Sequence, residues 1–107
     1  MDSQFLGSAV EMLILEVAGQ SPTYGYELAQ TVGERSDGYF ELKEGSLYPA
    51  LHRMEQEGWV KADWGKTEKN REARFYSLTA KGRKQLAEEE ASWSRLTDGV
   101  ARVIRYV

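Results

Sequence analysis

The chain has 107 residues, 41% of them hydrophobic and 29% charged, which is the composition and length of one ordinary globular domain. It has no Cys and a single His, His52. That excludes disulfides and thiol chemistry and leaves almost nothing for a multi-His metal site or a Ser-His-Asp arrangement, so no enzyme activity, cofactor or metal is expected. The net charge is −3, no apolar run approaches the roughly 18 residues of a membrane span, and no signal pattern opens the chain, so a cytoplasmic location and no membrane contact are expected.

Residues 5–18 read as a first helix in which Leu6, Val10, Leu13 and Val17 form one stripe. Phe5, Met12 and Leu15 lie off that stripe, so the helix is expected to be buried on a second side, against a partner chain. Gly19, Gln20, Ser21 and Pro22 break the chain. Thr23 is the expected cap of a second helix of about ten residues that carries Tyr24, Leu28 and Val32 on one side. A polar turn runs from Gly33 to Gly38, and Phe40, Glu41 and Leu42 alternate as one short strand would. The third helix is expected from near Gly45 and Ser46 to a stop at Gly58, with Leu47, Leu51 and Met54 toward the core and Pro49 in its first turn.

The periodicity then changes. Trp59–Trp64 and Arg74–Leu78 read as a β-hairpin around a loop of about nine residues, with Trp59 and Trp64 as packing residues. Thr79 caps a long final helix in which Leu86, Trp93, Val100 and Val107 recur every seven residues, with Leu96, Val103 and Ile104 between them. Unbroken from Thr79 to Val107, that helix is about 43 Å long, against a body about 30 Å across. It must project, and an apolar seam cannot project into water, so the seam is expected to dimerise together with Phe5 and Met12; the alternative folds it back on its own first helix. The expected fold is mainly α with a small β-hairpin: a winged helix-turn-helix over 1–78 and a C-terminal dimerisation helix over 79–107.

Charge is uneven along the chain. Residues 61–84 hold eight basic and three acidic residues, and the remainder holds six basic and fourteen acidic ones, so an acidic protein carries one basic district, which reads either as a surface whose local field attracts nucleic acid or as a solvated basic strand and turn. On the third helix Ser46, Pro49, His52, Arg53 and Gln56 face outward and Tyr48 sits at the border. These residues suit base-edge and phosphate contacts in a major groove, and equally an ordinary solvated face. Lys66, Lys69, Arg71 and Arg74 in the hairpin suit phosphate neutralisation. A reading helix followed by a basic hairpin is a more specific signal than either alone. Trp93 stands between acidic Glu89 and Glu90 and the apolar half of the seam. It reads either as core or, paired across a dimer axis, as a flat slot for a planar aromatic molecule.

Three stretches resemble the PadR family of transcriptional regulators: Tyr24-Gly25-Tyr26-Glu27-Leu28, Glu44-Gly45-Ser46-Leu47-Tyr48-Pro49-Ala50-Leu51, and Arg53-Met54-Glu55 with Gly58. Arg74-Phe75-Tyr76-Ser77-Leu78-Thr79-Ala80-Lys81-Gly82 is similar to the family's wing-to-last-helix junction, and Ala91-Ser92-Trp93-Ser94-Arg95 to the last helix of its short, multidrug-sensing members. The resemblance implies a dimeric winged-helix repressor that binds inverted-repeat operators in double-stranded DNA and, in many members, is released by a small molecule; with the Trp93 slot, the partner expected here is a small aromatic or drug-like ligand. It implies DNA contacts from Tyr24, Ser46, Tyr48, Pro49 and Arg53, and from Lys66, Arg71 and Arg74 in the wing. It also implies a ligand pore flanked by Trp93, lined by Leu6, Ala9, Val10 and Leu13, with Leu96 and Thr97 on its turn. Phenolic-acid-sensing members carry several C-terminal helices where this chain has one. The competing expectation is a winged-helix module that binds protein and not DNA.

Overall fold

The computed structural model describes the backbone of residues 3–105 and the side chains of residues 7–105, so the roles expected of Phe5, Leu6 and Val107 lie outside the described side chains. Four helices and three strands follow in the order α1 (Ser3–Gln20), β1 (Thr23–Tyr24), α2 (Gly25–Arg35), α3 (Glu44–Gln56), β2 (Val60–Lys66), β3 (Glu72–Leu78) and α4 (Ala80–Arg105). One core joins them: Ile14 and Leu15 of α1, Leu28 and Val32 of α2, Leu47, Leu51 and Met54 of α3, and Val60, Tyr76 and Leu78 of the sheet. On α3 the buried residues are those the 4-then-3 spacing predicts. On α1 the burial centre is Ile14 and Leu15, while Val10, Leu13 and Val17 are half-buried, because α1 is packed by α2, β3 and α4 at once.

The sheet is antiparallel in the order β1-β3-β2. Thr23, expected as a helix cap, is instead a strand residue opposite Tyr76. The N-cap of α2 is Tyr24, in extended conformation and without a side-chain cap bond, and the Thr23 hydroxyl donates to Glu27 Oε1 at 2.9 Å. Two residues are too few to show alternation, so β1 leaves no sequence signal. The strand expected at 40–42 is absent. The Phe40 N–H donates to Ser36 Oγ at 3.0 Å, and the alternation there reflects Phe40 and Leu42 resting on the core.

The hairpin strands run farther than the sequence suggests and leave a loop of residues 67–71, shorter than the expected nine. Asn70, at φ 60°, donates its N–H to the Thr67 carbonyl at 2.8 Å, and the Thr67 N–H donates to the Arg71 carbonyl at 2.9 Å. Trp59 packs on the core, but Trp64 is 73% exposed, a correction to its expected packing role.

Helix α3 begins at Glu44 and stops as expected at Gly58, whose φ of 79° lets the Trp59 N–H reach the Met54 carbonyl at 2.9 Å. The earlier start makes Pro49 the sixth helical residue, beyond the first turn, so the Gly45 carbonyl lacks its i+4 donor. Thr79 caps α4 as the sequence predicts, its Oγ1 accepting the Gly82 N–H at 3.0 Å. The molecule is 57 Å in its longest dimension and 22 Å in its shortest. Leu86 packs on the chain's own core, so the exposed seam expected from Leu86 starts at Trp93 and continues through Leu96, Val100, Val103 and Ile104. Among the described residues no helix is long and apolar enough to cross a membrane.

Candidate nucleic-acid interface

With Leu47, Leu51 and Met54 turned inward, the opposite face of α3 presents Ser46, Tyr48, Pro49, His52 and Arg53 to solvent. Tyr48 lies across the start of α2. A Cβ added at Gly25 would stand 2.5 Å from the Tyr48 hydroxyl, so the ring reaches this position because residue 25 has no side chain. The neighbouring Tyr24 donates its hydroxyl to Glu68 Oε1 in the hairpin loop at 3.2 Å, and its ring meets Phe75 edge-on at 5.2 Å. Desolvation, and then the bond to Glu68, raise the Tyr24 phenol above its usual value. Tyr48, Tyr24 and the loop are thereby joined through three elements far apart in sequence.

The expected basic residues fall into two groups. Lys66, Lys69 and Arg71 are exposed, and none is among the ion pairs of the described residues. Thr67 Oγ1 accepts the backbone N–H groups of Lys69 (3.3 Å) and Arg71 (3.2 Å) and so shapes the loop that carries them. Arg53 and Arg74 are different. Arg53 Nη2 lies 2.6 Å from Glu11 Oε2 and its guanidinium sits 5.8 Å from the Trp59 ring centre. Arg74 Nη2 lies 3.0 Å from Glu55 Oε2, with its guanidinium 5.9 Å from the Tyr76 ring centre. The partners Glu11, Glu55 and Glu68 were not marked by the sequence, because pairs 42, 19 and 44 residues apart leave no local pattern.

The residues matched to a ligand pore are dispersed in the single chain. Ala9 is buried and Val10 half-buried on the core. Leu13 lines a recess of about 170 Å³ with Val32 and Phe40, toward α2. Thr97 donates its hydroxyl back to its own helix, with the Trp93 and Ser94 carbonyls each at 3.1 Å. Trp93 is 37% and Leu96 42% exposed, and Met12 is half-buried. A larger recess, about 520 Å³, lies between α2 and the start of α3 and includes Tyr26, Phe40 and Tyr48. Among the described residues no group of three or more His, Cys, Asp or Glu is placed to hold a metal ion.

Where α1 meets α4, carboxylates crowd one another. Glu89 of α4 is pushed up to about 7 by burial and by the charge of Glu11, partly offset by a hydrogen bond with Gln85 and by the charge of Arg53. Its Oε2 is shut off from solvent and makes no hydrogen bond among the described residues. A hydrogen bond with Glu90, followed by burial, raises Glu16 in the same way.

The sequence profile of the transcriptional regulator PadR-like family matches residues 14–88. A PadR-like transcriptional regulator from Bacillus cereus superposes with a TM-score of 0.85 at 30% identity, over 98% of this chain and 100% of that one. A Streptococcus transcriptional regulator superposes with a TM-score of 0.86 at 27% identity, over 97% and 100% of the two chains. A transcriptional regulator of Mycobacterium tuberculosis is 29% identical over 93 residues, 87% of this chain and 83% of that protein. The winged-helix architecture, the family profile across most of the chain and the full-length structural likeness agree, and the chain is a transcriptional regulator of the PadR-like family.

Proposed function

We propose that the protein acts in the cytoplasm as a homodimeric, sequence-specific repressor of transcription. In this reading α3 enters the major groove, where Ser46, Tyr48, Pro49 and His52 meet base edges and nearby phosphates, with Tyr24 beside them and Arg53 and Arg74 at the margin. Lys66 at the end of β2, with Lys69 and Arg71 of the hairpin loop, neutralises flanking phosphates. The observation that carries the reading is the junction of Tyr48, Gly25, Tyr24 and Glu68, which holds the exposed face of α3 and the basic loop in one surface.

Dimerisation follows from the exposed stripe of Trp93, Leu96, Val100, Val103 and Ile104, and Met12 of α1 is assigned to the same proposed interface. A contiguous apolar stripe on a projecting helix is stable in water only when covered, and a second copy covers it symmetrically. Two α3 helices related by a two-fold axis then read half-sites about one helical turn apart, in an inverted repeat. Paired Trp93 indoles form the slot in which a planar aromatic compound favours a spacing of the two α3 helices that does not fit DNA; a ligand shifts this equilibrium only by its differential affinity.

Selection from a random duplex pool tests the reading. The expected product is an inverted repeat bound by two protomers. Recovery of no preferred sequence, with equal weak binding to every duplex, would overturn it and favour a protein-binding role. For the ligand step, quenching of Trp fluorescence by a planar aromatic dye should disappear in Trp93→Ala; unchanged quenching would place binding elsewhere.

A further inference from the structure

Arg53 projects from the exposed side of α3, yet its surroundings belong to other elements. Glu11 of α1 takes one guanidinium nitrogen at 2.6 Å, and Trp59, leading into β2, lies under the guanidinium at 5.8 Å. Glu89 of α4 is near enough for the Arg53 charge to act on its carboxyl. Glu11 is only 19% exposed in its side chain, so this pair is less screened than an ordinary surface pair. The N-cap of α3, Lys43, makes no side-chain cap bond. Beyond the core stripe, two ion pairs fix α3: Glu55 ties it to Arg74 of β3, and Arg53 ties it to Glu11 of α1. A guanidinium has five N–H donors, and Glu11 accepts from one of its nitrogens.

We propose that Arg53 is a positioning residue that sets the orientation of α3 against α1 through Glu11, and that it does not act as a phosphate anchor. This rests on the DNA-binding reading above. It gives the α1–α4 layer, where the exposed seam begins, a polar connection to the helix proposed to read DNA.

The test compares Arg53→Gln, Glu11→Gln and the charge-swapped pair Arg53→Glu with Glu11→Arg. The probe is the duplex selected by the wild-type protein, titrated across a salt series, with thermal melting to establish that each variant is folded. Both single variants should lose affinity by about tenfold, the scale of coupling through a shared contact. The salt slope should be unchanged, and the swapped pair should recover binding. A phosphate anchor behaves otherwise: Arg53→Gln would lower the slope by about 0.9, Glu11→Gln would bind as well as wild type or better by releasing Arg53, and the swap would not recover. That pattern would overturn the proposal while leaving DNA binding intact. If Arg53→Gln fails to fold, Glu11→Gln alone decides, because only a positioning role makes it bind DNA worse. Failure of the wild-type protein to select any duplex would instead remove the reading on which the proposal rests.

Discussion

Helix α3 and the hairpin loop lie in one surface but are built in opposite ways. The exposed face of α3 carries hydroxyl, ring and imidazole groups, and its only arginine is bound to Glu11; its inner face is seated on the core through Leu47, Leu51 and Met54. The loop lies outside the core cluster, holds its shape through Thr67 and Asn70, and presents Lys69 and Arg71, with Lys66 at the end of β2, outside the described ion pairs. A rigid, weakly charged face suits discrimination between partners by shape and hydrogen bonding. A cationic loop suits attraction to any phosphate backbone. In the proposed complex with DNA, neighbouring elements thus suit different work.

The largest way to break this contrast is to remove what seats α3. Leu51 is fully buried, and Leu51→Ala should cost about 2–5 kcal/mol in urea or thermal unfolding. A loss well under 1 kcal/mol would mean that the core does not hold the helix. Next, Tyr48→Ala should reduce the preference for the selected duplex over a scrambled one by roughly tenfold, the scale of one base-reading contact, with little change on scrambled DNA. Arg71→Ala should weaken binding to both duplexes alike and lower the salt slope by about 0.9. Should Tyr48→Ala and Arg71→Ala have the same effect on both duplexes, the division between reading helix and anchoring loop fails.

The smallest effect is a pH dependence at the junction behind α3. The Glu89 carboxyl, raised to about 7 by burial and by Glu11, holds its proton in the folded chain at pH values where an unfolded Glu, with a pKa of about 4.3, has lost it. The stability tied to that proton is complete below about pH 4.3 and is lost as pH rises through about 7. The groups acting on it are Glu11 from α1, Arg53 from α3 and Gln85 on its own helix. Relative to Glu89→Gln, the wild-type melting temperature should therefore fall by a few degrees between pH 5 and 8. Parallel curves would mean that Glu89 titrates as an exposed carboxylate.

The helices were legible because their core residues recur at spacings of three and four, and the ends of α3 and α4 because Gly58 and Thr79 make the contacts their residue types favour. Strand β1 was not, being two residues of a sheet whose partner strand lies some fifty positions away. The alternation at 40–42 misled because a coil crossing a core also buries every second residue. Candidate DNA-facing residues could be named from α3 alone, but the basic ones could not be sorted. That Arg53 and Arg74 are held by Glu11 and Glu55, while Lys66, Lys69 and Arg71 are not, depends on tertiary neighbours. Trp64 looked like a packing residue because tryptophan usually is one; a hairpin longer than expected leaves it exposed.

The most direct test of the central claim is fluorescence anisotropy of the wild-type protein on its selected duplex and on a scrambled duplex of equal length across a salt series. DNA recognition by α3 with anchoring by the loop predicts tight binding of two protomers to the selected duplex, much weaker binding to the scrambled one, and a steep fall of affinity with salt on both. Binding that ignores salt, or fails to distinguish the two duplexes at every salt concentration, would contradict it.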